Sequence, residues 1–240
     1  MKVLVIPDVH LKPHIFRRAA ELMRTGIAHQ AVCLMDIADN WGKEYDRELY
    51  EETYDAAIEF AKKFPESLWC WGNHDLSYRW HCYESGYSSM ASYTVHKKIL
   101  DLREALAEDN RIQYVHKVDN VLFSHGGILE LFVKDYIPEE YYEDTETVVR
   151  EINNLGKNEM WNDKGSPIWL RPQYLDRSLY KLYKSETLLQ VVGHTPVKQI
   201  TREGNLISCD VFSTYRNGKV IGTEEFLLLD TETWEYKGIK

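Results

Sequence analysis

The chain is predicted to fold as a layered α/β protein. Apolar runs of strand length alternate with segments of helical period over the first 71 residues, and the pattern changes to strands and turns after Asn205. Lys2–Ile6 is a short apolar strand. His14–Arg24 then places Ile15, Ala19, Leu22 and Met23 on one helical face. Ala31–Met35 is a second buried strand. Tyr50–Lys63 is helical, with Tyr54, Ala57, Ile58 and Ala61 at helical spacing and Pro65 ending it, and Ser67–Trp71 is a third strand. Leu76–Ser92 is rich in Tyr, Ser and Trp without a clear period, and a helix is expected over Val95–Ala107. Val121–Ser124 and Leu188–Val192 read as strands, Thr145–Leu155 as a helix and Trp161–Tyr174 as a loop. At the end, Leu206–Cys209, Val220–Leu229 and Trp234–Lys237, with an Asn217-Gly218 turn, suggest an antiparallel meander.

A length of 240 residues, without linker, repeat or low-complexity tract, fits a single domain over 1–240 that buries most of its surface. The formal net charge of −9 argues against an extensive nucleic-acid surface or attachment to an anionic membrane. No apolar stretch approaches the roughly 20 residues that cross a bilayer, and Val3–Ile6 is too short for a secretory core. Cys33, Cys70, Cys82 and Cys209 form no C-x-x-C pair. Cys33 and Cys70 sit in apolar strands, which suits a cytoplasmic protein and disfavours a cysteine-held zinc.

Five segments follow strands or apolar runs and carry oxygen or nitrogen donors: Asp8-Val9-His10, Asp36-Ile37-Ala38-Asp39, Gly72-Asn73-His74-Asp75, Ser124-His125-Gly126-Gly127 and Gly193-His194-Thr195. Loops at the carboxyl ends of strands converge in layered α/β folds, so segments distant in sequence can meet. Asp8 and His10, two apart in an extended chain, would face one side and share an ion. Each segment alone has a plainer explanation. Asp36 and Asp39 could cap a helix, Gly72–Asp75 could be a tight turn, and His125 and His194 could be satisfied core histidines. The order and strand-end placement of all five favour a joint metal site.

These residues, in this order, resemble the calcineurin-like metallophosphoesterase superfamily, whose pattern is D-x-H, G-D-x-x-D, G-N-H-[D/E], H and G-H. Ser124–Gly127 and Gly193-His194-Thr195-Pro196 are most similar to the branch of phosphoprotein phosphatases and bacterial diadenosine tetraphosphatases, and Ile207–Phe212 and Asn217–Val220 fit the tail of that branch. The resemblance implies a four-layer αββα sandwich with two central mixed β-sheets and a dinuclear site at strand C-terminal ends. It implies that Asp8 and His10 bind one ion, that Asp36 bridges both, and that Asn73, His125 and His194 complete the second. Such a donor set suits two divalent ions, Mn favoured over Fe or Zn, holding a bridging hydroxide for in-line displacement. His74 resembles the general acid and Asp39 the carboxylate that orients it.

The pattern is not followed everywhere. Met35 and Pro7 stand where the family usually has Gly. Pro196 stands where many members have a further His, and Asn40 where phosphoprotein phosphatases carry a phosphate-gripping Arg. Loss of that guanidinium removes a bidentate phosphate contact and tilts the expected substrate toward a nucleotide or other small phosphorylated molecule. Arg171, in Ser166–Pro172, is a candidate substrate-binding Arg; an exposed loop Arg is the alternative. The aromatic residues of 78–93 could form a rim for a nucleobase or a packing patch. The expected activity is phosphoester hydrolysis. The alternatives are a serine/threonine-type protein phosphatase and, in another class, a non-catalytic metal-dependent scaffold.

Overall fold

The computed structural model describes residues 1–108 and 111–240. β1 (Lys2–Ile6), α1 (Pro13–Arg24), β2 (Gln30–Cys33), α2 (Arg47–Lys63) and β3 (Leu68–Cys70) follow the predicted alternation. After them come α3 (Asn73–Trp80), α4 (Ser92–Glu104), β4 (Ile112–Gln113), β5 (Val115–Val118), β6 (Val121–Ser124), α5 (Glu130–Tyr136), α6 (Thr145–Asn154) and α7 (Lys157–Asn162). The chain ends with β7 (Leu189–Val192), β8 (Thr201–Glu203), β9 (Leu206–Ser208), β10 (Phe226–Asp230) and β11 (Tyr236–Ile239).

The strands form two mixed sheets. One has the order β11-β10-β1-β2-β3-β4, with β1 to β4 parallel and β10 and β11 antiparallel. The other has the order β5-β6-β7-β9-β8, with β6, β7 and β9 parallel. The alternation of β1 sorts its side chains between two cores. Val3 and Val5 pack between the sheets with Val32, Phe123, Val191, Ile207, Cys70 and Cys209, whereas Leu4 and Ile6 join the core under the helices. α1 lies on β1 and packs on α2, which packs on α4. On the other side α6 covers β5 and α5 packs on α6. The result is the four-layer αββα sandwich.

The C-terminal meander is divided between the sheets. β8 and β9 form one antiparallel pair in the second sheet, whereas β10 crosses to pair with β1 in the first. The Asn217-Gly218 turn exists, closed by Tyr215 N donating to Lys219 O at 2.9 Å, but a single bridge between Thr214 and Val220 flanks it, and Val220–Glu225 is not strand. One histidine joins the sheets away from these loops. His116 of β5 donates from Nε2 to Trp69 O of β3 at 3.0 Å and lies 3.2 Å from Arg111 O.

Candidate metal centre

All five donor segments emerge from the C-terminal ends of parallel strands: β1, β2, β3, β6 and β7. Asp8 and His10 do meet, though not by extended spacing, because the chain turns left-handed at His10 (φ 45°). The turn is held from the next strand end: His10 N donates to Asp36 O at 2.8 Å and Leu11 N to Ile37 O at 3.0 Å. Met35, where the family pattern has Gly, adopts φ 56°, a conformation that Gly would take without strain. Pro7 introduces no such strain.

Two groups of donor atoms form, and Asp36 belongs to both. Donor atoms of Asp8, His10 and Asp36 lie within 4.8 Å of one another, as do those of Asp36, His125 and His194. His125 Nε2 is 3.1 Å from Asp36 Oδ2, 3.2 Å from Asn73 Oδ1 and 3.1 Å from His194 Nδ1. Its other nitrogen, Nδ1, donates to Leu34 O at 2.9 Å, and His10 Nδ1 likewise faces Asp39 O at 3.0 Å. Each of these imidazoles therefore has Nε2 available as a ligand atom.

Two glycines make this approach possible. A Cβ on Gly72 would sit 2.0 Å from Asp36 Oδ1, and one on Gly193 would sit 2.1 Å from Asp8 Oδ2. His194 N donates to the other Asp8 oxygen at 2.8 Å.

The residues fit a pair of divalent ions. Asp8 Oδ2 is buried without a hydrogen-bond partner, an arrangement that a bound cation would relieve, and His194 faces the other donors through Nδ1. Burial, and next Asp210, push the Asp8 carboxyl well above its usual range. Burial would lower His125, yet Asp36 and Asp8 hold it up at about 9. Burial would raise Asp36, but His125 and His74 hold it well below the ordinary carboxylate range. Burial lowers His10 to about 3 and His194 well below 6.5, which leaves both neutral, as ligands must be.

Gly72-Asn73-His74-Asp75 is the first turn of α3 rather than a tight turn. Asp36 Oδ1 accepts from His74 N at 3.0 Å and so caps this helix from another loop. In return, Asp75 accepts from Ile37 N at 3.1 Å and from Tyr54 OH at 2.6 Å, clamping the Asp36–Asp39 loop. Burial and the nearby Asp36 push Asp75 up to about 7. His74 Nδ1 pairs with Asp39 Oδ2 at 2.9 Å. Burial opposes the charged imidazole, but Asp36 and Asp39 raise His74 to about 9. Asp39 does not cap the following helix, since α2 begins at Arg47 and is capped by Asp46.

His10, Asp36, His74 and His194 line one cavity with Arg171 and Trp41. Arg171 Nη1 donates to His194 O at 2.6 Å and lies 3.3 Å from Thr195 Oγ1, so it braces the last donor loop from the cavity wall. Trp169 packs edge-on against the His194 ring, 6.0 Å between centroids. Asn40 makes a different use of the position from an arginine. Its Nδ2 donates to His10 O at 3.0 Å and its Oδ1 accepts from Trp41 N and Thr214 Oγ1. The aromatic stretch does not form one rim: Tyr78 is buried and Tyr87 stacks on it, while Tyr83 and Tyr93 are exposed.

Sequence reasoning missed Trp41, which lines the cavity and carries Arg216 over its ring at 4.8 Å. It also missed Lys12 and Asp210. Burial lowers Lys12 to about 8, against the pull of Asp210 and Asp8. Asp210 is pushed up to about 6 by burial, although Ser213 donates to both its oxygens. Lys12, two residues past His10, and Asp210, just after β9, carry a local signal only in their closeness to donor loops.

The model of the family described as calcineurin-like phosphoesterase matches residues 1–221. No curated protein matches the chain. Among solved structures, the whole chain aligns with 80% of the cold-active protein-tyrosine phosphatase of a psychrophilic Shewanella species, at 15% identity and a TM-score of 0.57. It also aligns over its full length with 89% of a metallophosphoesterase from Sphaerobacter thermophilus, at 15% identity and a TM-score of 0.46. A third alignment covers the whole chain and 99% of an archaeal phosphodiesterase, at 14% identity and a TM-score of 0.45. Among the described residues no helix is long and apolar enough to cross a membrane. With its fold and its shared-carboxylate cluster of donors, the chain belongs to the calcineurin-like phosphoesterase family, metal-dependent hydrolases of phosphoester bonds.

Proposed function

We propose that this protein, one domain over 1–240, hydrolyses a nucleotide or other small phosphoester at a two-ion centre held by Asp8, His10, Asp36, Asn73, His125 and His194. The observation that carries this reading is the sharing of Asp36 between two donor groups, each compact enough for one ion. Two divalent ions, with manganese favoured and iron or zinc suited to the same donors, would supply Lewis acidity and lower the pKa of water. His10 and His125 are oriented for ligation by the carbonyls that take their Nδ1 protons. His74, held on Asp39 through Nδ1, keeps Nε2 for delivering a proton to the departing oxygen. Arg171, at the cavity wall, draws the phosphate toward the donors. The four free thiols support a cytoplasmic setting.

Two features favour a small or nucleotide substrate. Asn40 spends its amide on the backbone of the His10 loop, so position 40 offers no guanidinium to a terminal phosphate. Trp41 gives the cavity an aromatic wall on which a planar group can lie. Arg171 in the same cavity favours the second reading, a serine/threonine-type protein phosphatase acting on monoesters.

The test is a paired assay of a chromogenic phosphate monoester and its diester on protein stripped with chelator and then given Mn²⁺. Preference for the diester is expected for a nucleotide or cyclic-phosphate enzyme, and preference for the monoester returns the phosphatase reading. Absence of metal-restored turnover of either ester would sink both and leave a metal-dependent scaffold.

A further inference from the structure

Asp39 holds more donors than its pairing with His74 requires. Its Oδ2 faces His74 Nδ1, while its Oδ1 accepts from two phenols on different helices: Tyr50 of α2 at 2.7 Å and Tyr78 of α3. All three partners reach a carboxylate that is only 2% exposed and whose own backbone is left-handed at φ 63°. The direction of the Tyr78 proton is fixed. Ser88 N donates to the Tyr78 oxygen at 2.7 Å and an amide cannot accept; of the two remaining acceptors, the Asp39 carboxylate is charged and far closer than the Tyr50 hydroxyl at 3.5 Å, so the phenolic proton turns to the carboxylate. Tyr87 stacks on the Tyr78 ring at 4.4 Å and 17° and holds it in place. A Cβ on Gly86 would meet Asp39 Cβ at 3.3 Å, so the 81–91 loop closes directly over the carboxylate.

We propose that Tyr50 and Tyr78 are positioning residues of the proton-delivering pair: their hydroxyls lock the Asp39 carboxylate so that His74 keeps its proton on Nδ1 and Nε2 stays turned to the leaving group. The inference rests on the reading that His74 delivers that proton. A carboxylate free to rotate about Cβ–Cγ would exchange its two oxygens and loosen the imidazole. Two phenols on one oxygen, arriving from two helices, prevent that exchange. The segment 78–93, which shows no hydrophobic period, folds Tyr78, Tyr87 and Ser88 inward as a belt around one carboxylate.

A buried phenol needs an acceptor whatever its role, so the experiment must separate positioning from packing. Tyr50→Phe, Tyr78→Phe and the pair are compared with the wild type on two esters of the class that the wild type hydrolyses, one with a 4-nitrophenyl and one with a phenyl leaving group. Turnover of the phenyl ester, which needs its proton, is expected to fall roughly tenfold for each single change and about a hundredfold for the pair. The 4-nitrophenyl ester, whose leaving group departs unaided, is expected to change less than about threefold. In a His74→Ala background the Phe substitutions are expected to cost nothing further. A readout independent of turnover comes from ¹⁵N NMR of the histidines in metal-free protein. His74 is expected to show a strongly hydrogen-bonded, slowly exchanging Nδ1 proton in the wild type and to lose that signature in the double variant.

Equal losses on both esters, the same loss without His74, or an unchanged His74 spectrum in the double variant would overturn the proposal. Should Tyr78→Phe fail to fold, Tyr50→Phe alone carries each comparison. If His74→Ala leaves the two esters in their wild-type ratio, it is the acid assignment that falls, and the spectrum still decides whether the phenols lock the pair.

Discussion

The two sheets bring different donors to their common edge. Loops of the first sheet supply every candidate carboxylate ligand, Asp8 and Asp36, and also Asp39 and Asp75. Loops of the second supply two imidazoles, His125 and His194, and the guanidinium of Arg171. The first set is braced by phenols and by reciprocal caps between the Asp36 loop and α3. The second is held by single bonds to carbonyl and carboxylate oxygens. Tight clamping of the carboxylates prepares a site for cations, and the imidazoles of the second sheet close it from the other side. The clamped side is where substitutions should do most damage.

The largest effect is expected where one sheet meets the other. Asp36→Asn should remove both ions, reducing bound metal by mass spectrometry from two equivalents to none; a variant that keeps two equivalents would contradict the sharing of Asp36. Gly193→Ala places a methyl against Asp8 and forces the His194 loop outward. Displacement by about 1 Å can cost on the order of a hundredfold, so kcat/KM should fall at least that far.

Next in size, His74→Ala should lower turnover of a phenyl ester by roughly 10² to 10⁴ while two equivalents of metal stay bound. Unchanged hydrolysis of that ester would remove His74 from the reaction.

A proton also sharpens the contrast between the sheets. His125 is held up at about 9 by first-sheet carboxylates, so below that pH an ion must displace its proton. Metal affinity should therefore rise as pH climbs toward 9, and calorimetry at pH 7 in buffers of different ionisation heat should register close to one proton released at this group. Buffer-independent heats would mean that His125 is already neutral.

The smallest effect lies away from the cavity, at the bond that joins the sheets. Burial lowers His116 to about 4, below its unfolded value of about 6.5. The unfolded chain then binds the extra proton first, so stability from this group is complete above about 6.5 and is lost as pH falls through that window to about 4. His116→Gln should flatten the acid limb of a denaturant-midpoint profile, by up to about 3 kcal/mol at its lower end. A parallel limb in the variant would assign the acid loss to other groups.

Element length and pairing distance govern how much of the molecule was legible in its sequence. Strands β1 to β3 and their helices stood out because parallel strands between amphipathic helices alternate two strong periods. The shorter and more distantly paired elements were harder to see. β4 and β5, and helices α5 and α7, are between two and seven residues long, too short to show a period, and β10 leaves its sequence neighbours to pair with β1. The candidate ligands were visible because each occupies a strand end beside a Gly or Asp of fixed spacing. Tyr50 and Tyr78 were not, since their partner Asp39 is 11 and 39 residues away and their neighbours Tyr83 and Tyr87 differ in burial. Asn40 was recognised as a missing arginine, but its role as a strap across the His10 loop needed coordinates.

The thiols packed in and against the sheets offer a clock on their parting. Cys70 and Cys209 lie between the sheets and Cys33 under the helices, each almost wholly buried, and burial pushes all three thiols up. Cys82 is the only one of the four that reaches solvent. A disulfide reagent should therefore label one site at once and three only as fast as the layers separate. Saturating the centre with metal, which ties Asp8 and Asp36 of one sheet to His125 and His194 of the other, should slow those three together and leave Cys82 unchanged.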